Sequence, residues 1–568
     1  MADLLRVILF LPLAAALLLH GSRHWMRVGT LVVTLIVLGL TADLVARYSN
    51  ASQETGFAAE TDVSWLELAG SEIDIHFSIA IDGLSLWLFA LTSLLMVVAV
   101  LVSWEAIDQR ASLYYRLLLI LETGMLGVFV ARDIILFYIF FEFTLIPLFF
   151  LIGLWGGQQR RHAAVKFFLF TLAGSLLTFV GLLAIVVWSY YNSDADPAMR
   201  TLTFSIPDLT ESVRRAAMLH HPMDLRLQIG IFLALFAGFA VKTPLFPLHT
   251  WLPLAHVEAP TAGSVILAGV LLKVGTYGFA RFNLPMLPEA TAVLMPWLLW
   301  ISLAGVLYGA FVALAQSDIK RLVAYSSVSH MGFCMLGLFA VNRLSVQGGV
   351  LQMVSHGLAT GGLFAVVGMI YERFHTHEIG NFGDLARRMP LLACFALVLT
   401  LSSIALPFTA GFAGEFPLLL GVFQRGWAEP AAHATQLRTI AVLSLGGVIL
   451  GAWYMLWMYQ LVFFGTSRDR TGKRQADSVR DLSLREVLCL APLVAMIFWI
   501  GLQPRFFLDR MGTTLNDLMK PAMQAVEKEG ERGASRKSSS IAKPQAAFED
   551  RTTISNQQLA ISNSRPTL

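Results

Sequence analysis

The chain has 568 residues, of which 56% are hydrophobic and 14% charged, and its formal net charge at pH 7 is +3. So few charged side chains cannot cover a water-soluble globule of this size, and the small positive balance gives no reason to expect a nucleic-acid partner. Repeated apolar stretches of about 20 residues match the hydrocarbon core of a bilayer, without the alternating pattern of a membrane β-barrel. We therefore predict an all-α polytopic membrane protein.

Polar breaks divide the chain into about fourteen predicted spans. The first span carries Arg6 before small apolar residues, as a signal peptide does, but Asp3 and the immediate second span argue against cleavage. The spans begin near Leu4, Val28, Leu84, Leu113, Ile134, Ala164, Ile229, Ala262, Ala292, Leu322, Gly348, Pro390, Thr439 and Glu486.

The charges of the loops predict the orientation of the spans. Basic residues fill the short loops after spans 1, 3, 5, 9, 11 and 13, whereas the loop after the second span is acidic. The positive-inside rule places the basic loops in the cytoplasm and, with an even number of spans, both termini outside. The basic residues are Arg23, Arg27, Arg110, Arg160, Arg161, Lys320, Arg321, Arg387, Arg388, Arg468, Arg470, Lys473 and Arg474.

The first charged residue of interest inside a span is Glu142. It follows Asp133 by nine residues, which is roughly 13 Å along a helix and places it near the middle of the membrane. An acid at that depth is a candidate proton carrier or the partner of a buried cation. The alternative is an ion pair that only holds helices together.

Two lysines, Lys242 and Lys273, also fall within or at the end of apolar stretches. A lysine in hydrocarbon costs about 3 kcal/mol on insertion scales, so we expect each to have a function. Pro244 and Pro247 follow Lys242 and predict a break in the seventh span, with a hydrated cavity beside it. His249 and His256 flank this break; each is either a proton relay or an ordinary interfacial histidine.

The second half contains His330, His356 and Glu415 within apolar sequence. A lone buried histidine is often only hydrogen-bonded in a core, and that alternative stays open for both histidines. Pro407 and nearby glycines predict a second broken helix around Glu415, in the twelfth span. Breaks five spans apart are the spacing that an internal five-helix repeat would produce.

Five segments resemble the subunit M family of bacterial NADH-quinone oxidoreductase, respiratory complex I, and the likeness covers roughly Asp82 to Gly465. They are FFEFTLIPLFFLIGLWGG, FAVKTPLFPLHTWLPLAHVEAPTAGSVILAGVLLKVGTYGFARF, AQSDIKRLVAYSSVSHMGF, VSHGLATGGLFAVVGMIYERFHT and YMLWMYQLVFFG. The resemblance implies fourteen transmembrane helices with two inverted five-helix repeats, in which helices 7 and 12 are broken. Its implied divisions are 1–111 (helices 1–3 and an acidic external loop), 112–281 and 282–465 (the two repeats), 466–505 (a basic cytoplasmic loop and helix 14) and 506–568 (a polar tail, predicted to be disordered).

The resemblance also implies roles for individual residues. Glu142 would pair with Lys242, Lys273 would be the central lysine, and Glu415 would be the outlet acid, a position where the related subunits L and N usually hold lysine. His330 and His356 would be relays, with His249 and Lys320 secondary. This sequence departs from the family motifs at Leu254, Phe408, Ala410 and Leu461. The first three lie near the two breaks, where the departures would affect proton access.

The function implied by the resemblance is proton pumping driven by electron transfer from NADH to quinone in other subunits. FMN, iron–sulfur clusters and quinone would lie in those partners, and no cofactor is expected in this chain, which has no CxxC pair, P-loop or dinucleotide fingerprint. Subunits L and N would be neighbours in the bacterial inner membrane. Two alternatives remain: a subunit of a cation/proton antiporter or membrane-bound hydrogenase, and a purely structural membrane subunit.

Overall fold

The fold is described from a computed structural model, which covers residues 1–48, 57–67, 73–192, 201–219, 221–427, 433–465 and 479–531. The basic residues Arg468, Arg470, Lys473 and Arg474 and the chain after residue 531 lie outside these ranges. In chain order the long elements are α1 (Ala2–Leu18), α2 (Arg23–Arg47), β1 (Ala58–Glu67), β2 (Ile73–Ile81), α3 (Gly83–Val102), α4 (Ala111–Val130), α5 (Ile134–Trp155), α6 (Arg160–Tyr191), β3 (Leu202–Thr203), α7 (Ile206–Met218), α8 (Leu225–Lys242), α9 (Leu252–Glu258), α10 (Thr261–Met286), α11 (Pro288–Leu314), α12 (Ile319–Phe339), α13 (Arg343–Phe374), α14 (Pro390–Ser403), α15 (Ala410–Trp427), α16 (Ala434–Phe464), α17 (Leu484–Leu502) and α18 (504–531).

Helices dominate the described chain, and twelve of them are long and apolar enough to cross a membrane. The prediction of a polytopic helical membrane protein is therefore confirmed. The other two predicted spans coincide with α1, which has 17 residues, and with the shorter pair α14 and α15. The count of fourteen, the inverted repeats and the domain boundaries stay predictions.

The seventh predicted span is interrupted where its prolines stand. Helix α8 ends at Lys242, irregular turns follow, and the chain becomes helical again at Leu252. Pro244 and Pro247 have no backbone N–H to continue the helical ladder. The indole of Trp251 closes the turn by donating to the Val241 carbonyl at 2.9 Å.

The second interruption separates α14 from α15. Helix α14 ends at Ser403, and Ala405 and Phe408 in the turn have φ values of +56° and +70°. Side chains with a Cβ rarely adopt this left-handed conformation. The family motif has glycine at the position of Phe408, so Phe408 is a departure where the backbone conformation favours glycine.

Helix α10 lies at the centre of the molecule, and its most apolar window is entirely buried. Two π-helical turns, Leu267–Leu271 and Phe279–Asn283, interrupt it on either side of the segment that carries Lys273. Small residues let its neighbours approach: Gly269 faces Leu95 of α3, and Gly275 faces Thr243 at the end of α8. Helices α3, α8 and α13 therefore surround Lys273.

Two segments outside the membrane differ from expectation. The acidic loop after the second span forms an antiparallel hairpin of β1 and β2, to which β3 adds in parallel through Ile73–Leu202 and Asp74–Thr203. The prediction of disorder for 506–568 is wrong over 506–531, because α18 is a helix whose Phe507, Met511, Leu515 and Met519 are buried. Apolar residues four apart give one face that packs on the membrane helices.

Candidate functional site

The first predicted pair, Glu142 and Lys242, lies at the contact between α5 and α8. Lys242 is 4% exposed, and its ammonium lies 4.6 Å from the centre of the Phe141 ring. Glu142 interacts with it electrostatically but forms no ion pair within 4.0 Å, although both residues belong to the described chain. The pairing of Glu142 with Lys242 stays a prediction; in this structure the ammonium meets the aromatic face of Phe141 instead of a carboxylate.

The helix that carries Glu142 is itself broken beside this residue. Thr144 interrupts α5, and its hydroxyl donates to the Phe141 carbonyl at 2.9 Å. The local cause is Pro147, which has no N–H to bond the carbonyl of Phe143.

Lys273 is fully buried and belongs to the best-connected group of the site. Its ammonium donates to the Ala268 carbonyl and to Nδ1 of His356, the second bond at 2.7 Å. The His356 ring lies 5.6 Å from the ring of His330, measured between centroids, and His330 Nε2 shares a 3.2 Å hydrogen bond with the Ser403 hydroxyl. The structure thus joins α10, α13, α12 and α14 through one polar row.

Each histidine of this row keeps a ring nitrogen free of protein partners within the described residues. These atoms are Nε2 of His356 and Nδ1 of His330, and both are buried. A buried polar atom without a partner is costly and is usually met by water or used in chemistry. Neutral imidazole can accept a proton at one nitrogen and release it from the other, so the pair has the chemistry of a relay.

Glu415 lies at the far side of this row, on α15. It is 3% exposed and interacts electrostatically with Cys334 and with Tyr454, whose hydroxyl is buried. The adjacent Gly414 allows α15 to approach α13 at Gln352, one helical turn before His356. Gln352 therefore lies at the contact between α13 and α15, one helical turn from His356 and next to the residue that precedes Glu415.

The side of the site next to the predicted cytoplasmic loops contains Lys320, His256 and His249. Lys320 is 7% exposed and donates to the carbonyls of Val257 (3.0 Å) and Ala259 (2.8 Å), at the end of α9. His256 stacks on Phe364 at 4.6 Å and interacts electrostatically with both Lys320 and Lys273. His249 lies apart, with its ring 5.0 Å from Tyr308.

The structure therefore brings Lys273, His356 and His330 into one group, with Glu415 next to it. It places Glu142 and Lys242 in a separate group near the end of α8, and it leaves His249 outside both. Three polar residues were missed by the sequence reasoning: Glu122 in the fourth span, Gln352 and Ser403. Glu122 carries the same signal as Glu142, an acid deep in an apolar span, whereas a glutamine or serine inside a helix gives little warning.

The remaining departures from the family motifs lie outside these groups. Leu254 on α9 and Leu461 on α16 are partly buried against the apolar core, and Ala410 is the first residue of α15. Among the described residues no group of three or more His, Cys, Asp or Glu side chains could hold a metal ion.

Comparison with known proteins identifies the family. The family model described as "NADH:quinone oxidoreductase/Mrp antiporter, TM" matches residues 131–437. A relative from Rhodobacter capsulatus, NADH-quinone oxidoreductase subunit M, is 40% identical over 532 residues, covering 92% of this chain and 97% of that protein. The chain belongs to the subunit M family of NADH-quinone oxidoreductase.

Solved structures agree with this family. A chain of respiratory complex I from Thermus thermophilus with bound NADH superposes with a TM-score of 0.76 and 31% identity, covering 91% of this chain and 99% of that one. A chain of the Mrp complex from Dietzia sp. DQ12-45-1b has a TM-score of 0.73 at 18% identity, covering 99% of this chain and 60% of that one. The second likeness is one of fold.

Proposed function

We propose that this chain is a proton-pumping subunit in the membrane arm of a bacterial NADH-quinone oxidoreductase. The proposal rests on its family and on one observation: a buried row of Lys273, His356 and His330 that begins near the first helix break and ends beside Glu415 at the second. Charged groups inside a membrane protein mark ion pathways because their burial is costly. Broken helices bring freed backbone groups to the same depth.

In the proposed cycle a proton is taken up from the cytoplasm, past Lys320 and the break after α8. It is held by Lys242 and Lys273 and leaves toward the outside past Glu415. His356 and His330 pass it on, since each has a free ring nitrogen and His356 already accepts a hydrogen bond from Lys273. Each transfer moves only a proton, from an ammonium or imidazolium to the next neutral base.

Switching is assigned to the distance between Glu142 and Lys242. The structure holds the two apart, with Lys242 against Phe141. Two unit charges 4 Å apart attract by about 4 kcal/mol at an effective dielectric of 20, and doubling the distance halves that energy. The difference of about 2 kcal/mol corresponds to more than one pKa unit. It is therefore enough to favour or disfavour binding of a proton by the Lys242 amine.

The driving reaction belongs to partner subunits in this proposal. FMN, iron–sulfur clusters and quinone would be bound there, and other complex I membrane subunits, L and N among them, would be neighbours. The chain would lie in the inner membrane with both termini in the periplasm. A cation/proton antiporter subunit is the second candidate, favoured only by the shared fold of the Mrp chain; flavin and NADH-quinone activity in the purified complex separate the two.

The test uses the assembled complex in proteoliposomes, with Glu142→Gln and Lys242→Met compared with Lys520→Met. Lys520 is exposed on α18, so its replacement controls for loss of a lysine as such. We expect both site variants to lower the protons moved per electron while the control does not. Unchanged proton movement in both site variants would remove the pumping role.

A further inference from the structure

Glu122 on α4 is a buried acid that the proposed cycle does not use. Its side chain is fully buried, and neither carboxylate oxygen has a hydrogen-bond partner among the described residues. Buried acids are normally paired or hydrogen-bonded, because a carboxyl group loses its water on burial. An acid kept in this state therefore needs an explanation.

The direction of the Glu122 side chain follows from the exposed stripe of its helix. Leu113 is 43% exposed, and Arg116 and Ile120 on the same side are partly exposed. Glu122 comes two residues after Ile120, a rotation of about 200° on a helix, so it points to the interior. It also precedes Phe129 by seven residues, which places both on one face.

That face contacts the helix of Lys273. Phe129 packs edge-on against Tyr277 of α10 at 5.3 Å, and the Tyr277 hydroxyl donates to the Phe129 carbonyl at 3.3 Å. Helices α4 and α10 both run away from the predicted cytoplasmic side, so equal steps back along each keep the same depth. Glu122 and Val270 come seven residues before Phe129 and Tyr277, respectively. Each therefore lies roughly 10 Å closer to the predicted cytoplasmic side.

The ammonium of Lys273 lies at this same depth. Its hydrogen bond to the Ala268 carbonyl draws the side chain back by more than one turn, to the level of the π-helical segment Leu267–Leu271. Helix α4 also contacts the Glu142 region, where Gly124 faces Thr144 at the break of α5. Glu122 thus belongs to a helix that packs against both the Glu142 break and the Lys273 helix, as α8 also does.

We propose that Glu122 is a further proton-binding residue, which serves the gap between the Lys242 group and Lys273. Its carboxylate takes the proton released by the Lys242 ammonium and becomes a neutral carboxylic acid. It then releases that proton to the neutral amine of Lys273 and returns to carboxylate. The inference rests on the proposed pumping function.

The experiment measures protons moved per electron by reconstituted complex with Glu122→Gln, Glu122→Asp and Lys273→Ala, with the redox rate in parallel. Glutamine keeps the size of the side chain but cannot bind and release a proton. We expect Glu122→Gln to lose as much pumping as Lys273→Ala, and aspartate to retain a part of it. Full pumping by Glu122→Gln, together with a loss in Lys273→Ala, would overturn this inference alone; full pumping by both would overturn the function itself.

A second measurement covers a variant that fails to assemble. Dicyclohexylcarbodiimide modifies protonated carboxyl groups in apolar surroundings, and mass spectrometry of the treated wild-type complex locates the adduct. We expect an adduct on Glu122 whose formation slows during NADH oxidation, when the residue cycles through its charged form. An adduct that forms at the same rate with and without turnover would mark Glu122 as a static buried acid and overturn the inference.

Discussion

At the scale of single residues, the bond between Lys273 and His356 is the most informative contact. Among the described residues the lysine has two acceptors, the Ala268 carbonyl and His356 Nδ1, and both lie in the buried core. A backbone carbonyl cannot take up a proton, so in the proposed cycle the imidazole is the base that receives it. In that cycle the carbonyl holds the ammonium in place, and the histidine accepts the proton that the ammonium releases.

Replacing His356 with alanine should therefore impair pumping more than it impairs assembly. The lost hydrogen bond to a charged group is worth about 1.5–3 kcal/mol, roughly a tenfold effect or more on the step that uses it. Proton uptake in proteoliposomes, compared with the yield of intact complex, checks this. Normal proton uptake in His356→Ala would show that protons do not pass through this imidazole ring.

A second residue-scale prediction concerns His76 in the hairpin of β1 and β2. Its Nδ1 bonds Asp62 at 2.9 Å and its Nε2 bonds Asp74 at 2.6 Å. Partial burial acts to lower the pKa of His76, but the hydrogen bonds and charges of the two acids outweigh it and the pKa is raised. The hairpin gains stability that is complete below the unfolded pKa of about 6.5 and disappears as the pH rises through the folded value.

Hydrogen exchange of the hairpin amides, corrected for the intrinsic pH effect, measures this directly. Protection should fall between about pH 6 and about pH 9 in the native chain. His76→Gln should show the same low protection at both. A fall of equal size in the variant would assign the pH dependence to another group.

At the scale of elements, glycines decide how closely the helices approach each other. Gly238 of α8 crosses Gly174 of α6, and a Cβ on Gly238 would overlap the Thr178 hydroxyl. Gly230 on the same helix is exposed and has no atom within 4 Å of such a Cβ. The two positions differ in packing while sharing one helix.

Gly238→Ala should lower the thermal stability of the complex, whereas Gly230→Ala should not. Overpacking costs about 1–3 kcal/mol, while alanine in an open helical position gains about 0.5–1 kcal/mol over glycine. Thermal unfolding of the detergent-purified complex compares the two. Equal shifts for both variants would contradict the close crossing of α6 and α8.

The turn between α14 and α15 contains a strained residue. Phe408 has φ +70° and is 68% exposed, so its backbone bears the strain of the left-handed region while its ring adds little packing. Phe408→Gly should stabilise the complex by about 1–2 kcal/mol, because that strain is removed. Phe408→Ala keeps the Cβ and should give no gain; a gain of the same size from alanine would assign the effect to the exposed ring.

The sequence predicted the elements better than it predicted their contacts. Pro244, Pro247 and Pro407 located both breaks, because proline acts on the local backbone whatever surrounds it. The contact of Phe141 with the Lys242 ammonium could not be predicted, since whether the ring or the Glu142 carboxylate meets the ammonium depends on rotamers and on the break at Thr144. The order of α18 was missed because its apolar residues are thinly spread among charged ones and become a face only when the helix forms.

At the scale of the whole molecule, the buried charges follow the broken helices. Lys242 ends α8 beside the first break, Glu415 stands in α15 just after the second, and Lys273 lies on α10, whose most apolar window is entirely buried. The rest of the described chain, including the β1–β2 hairpin and α18, packs around this arrangement. A row in which each group can influence the next is the property that a pump requires and that a structural subunit does not.

The central claim is that protons cross through Lys273. The most direct test is proton translocation by the reconstituted complex with Lys273→Ala, with NADH-quinone activity measured in the same vesicles. The account predicts that the variant assembles and loses protons moved per electron, and a lower redox rate alongside would indicate tight coupling. Proton translocation equal to that of the native complex would contradict it.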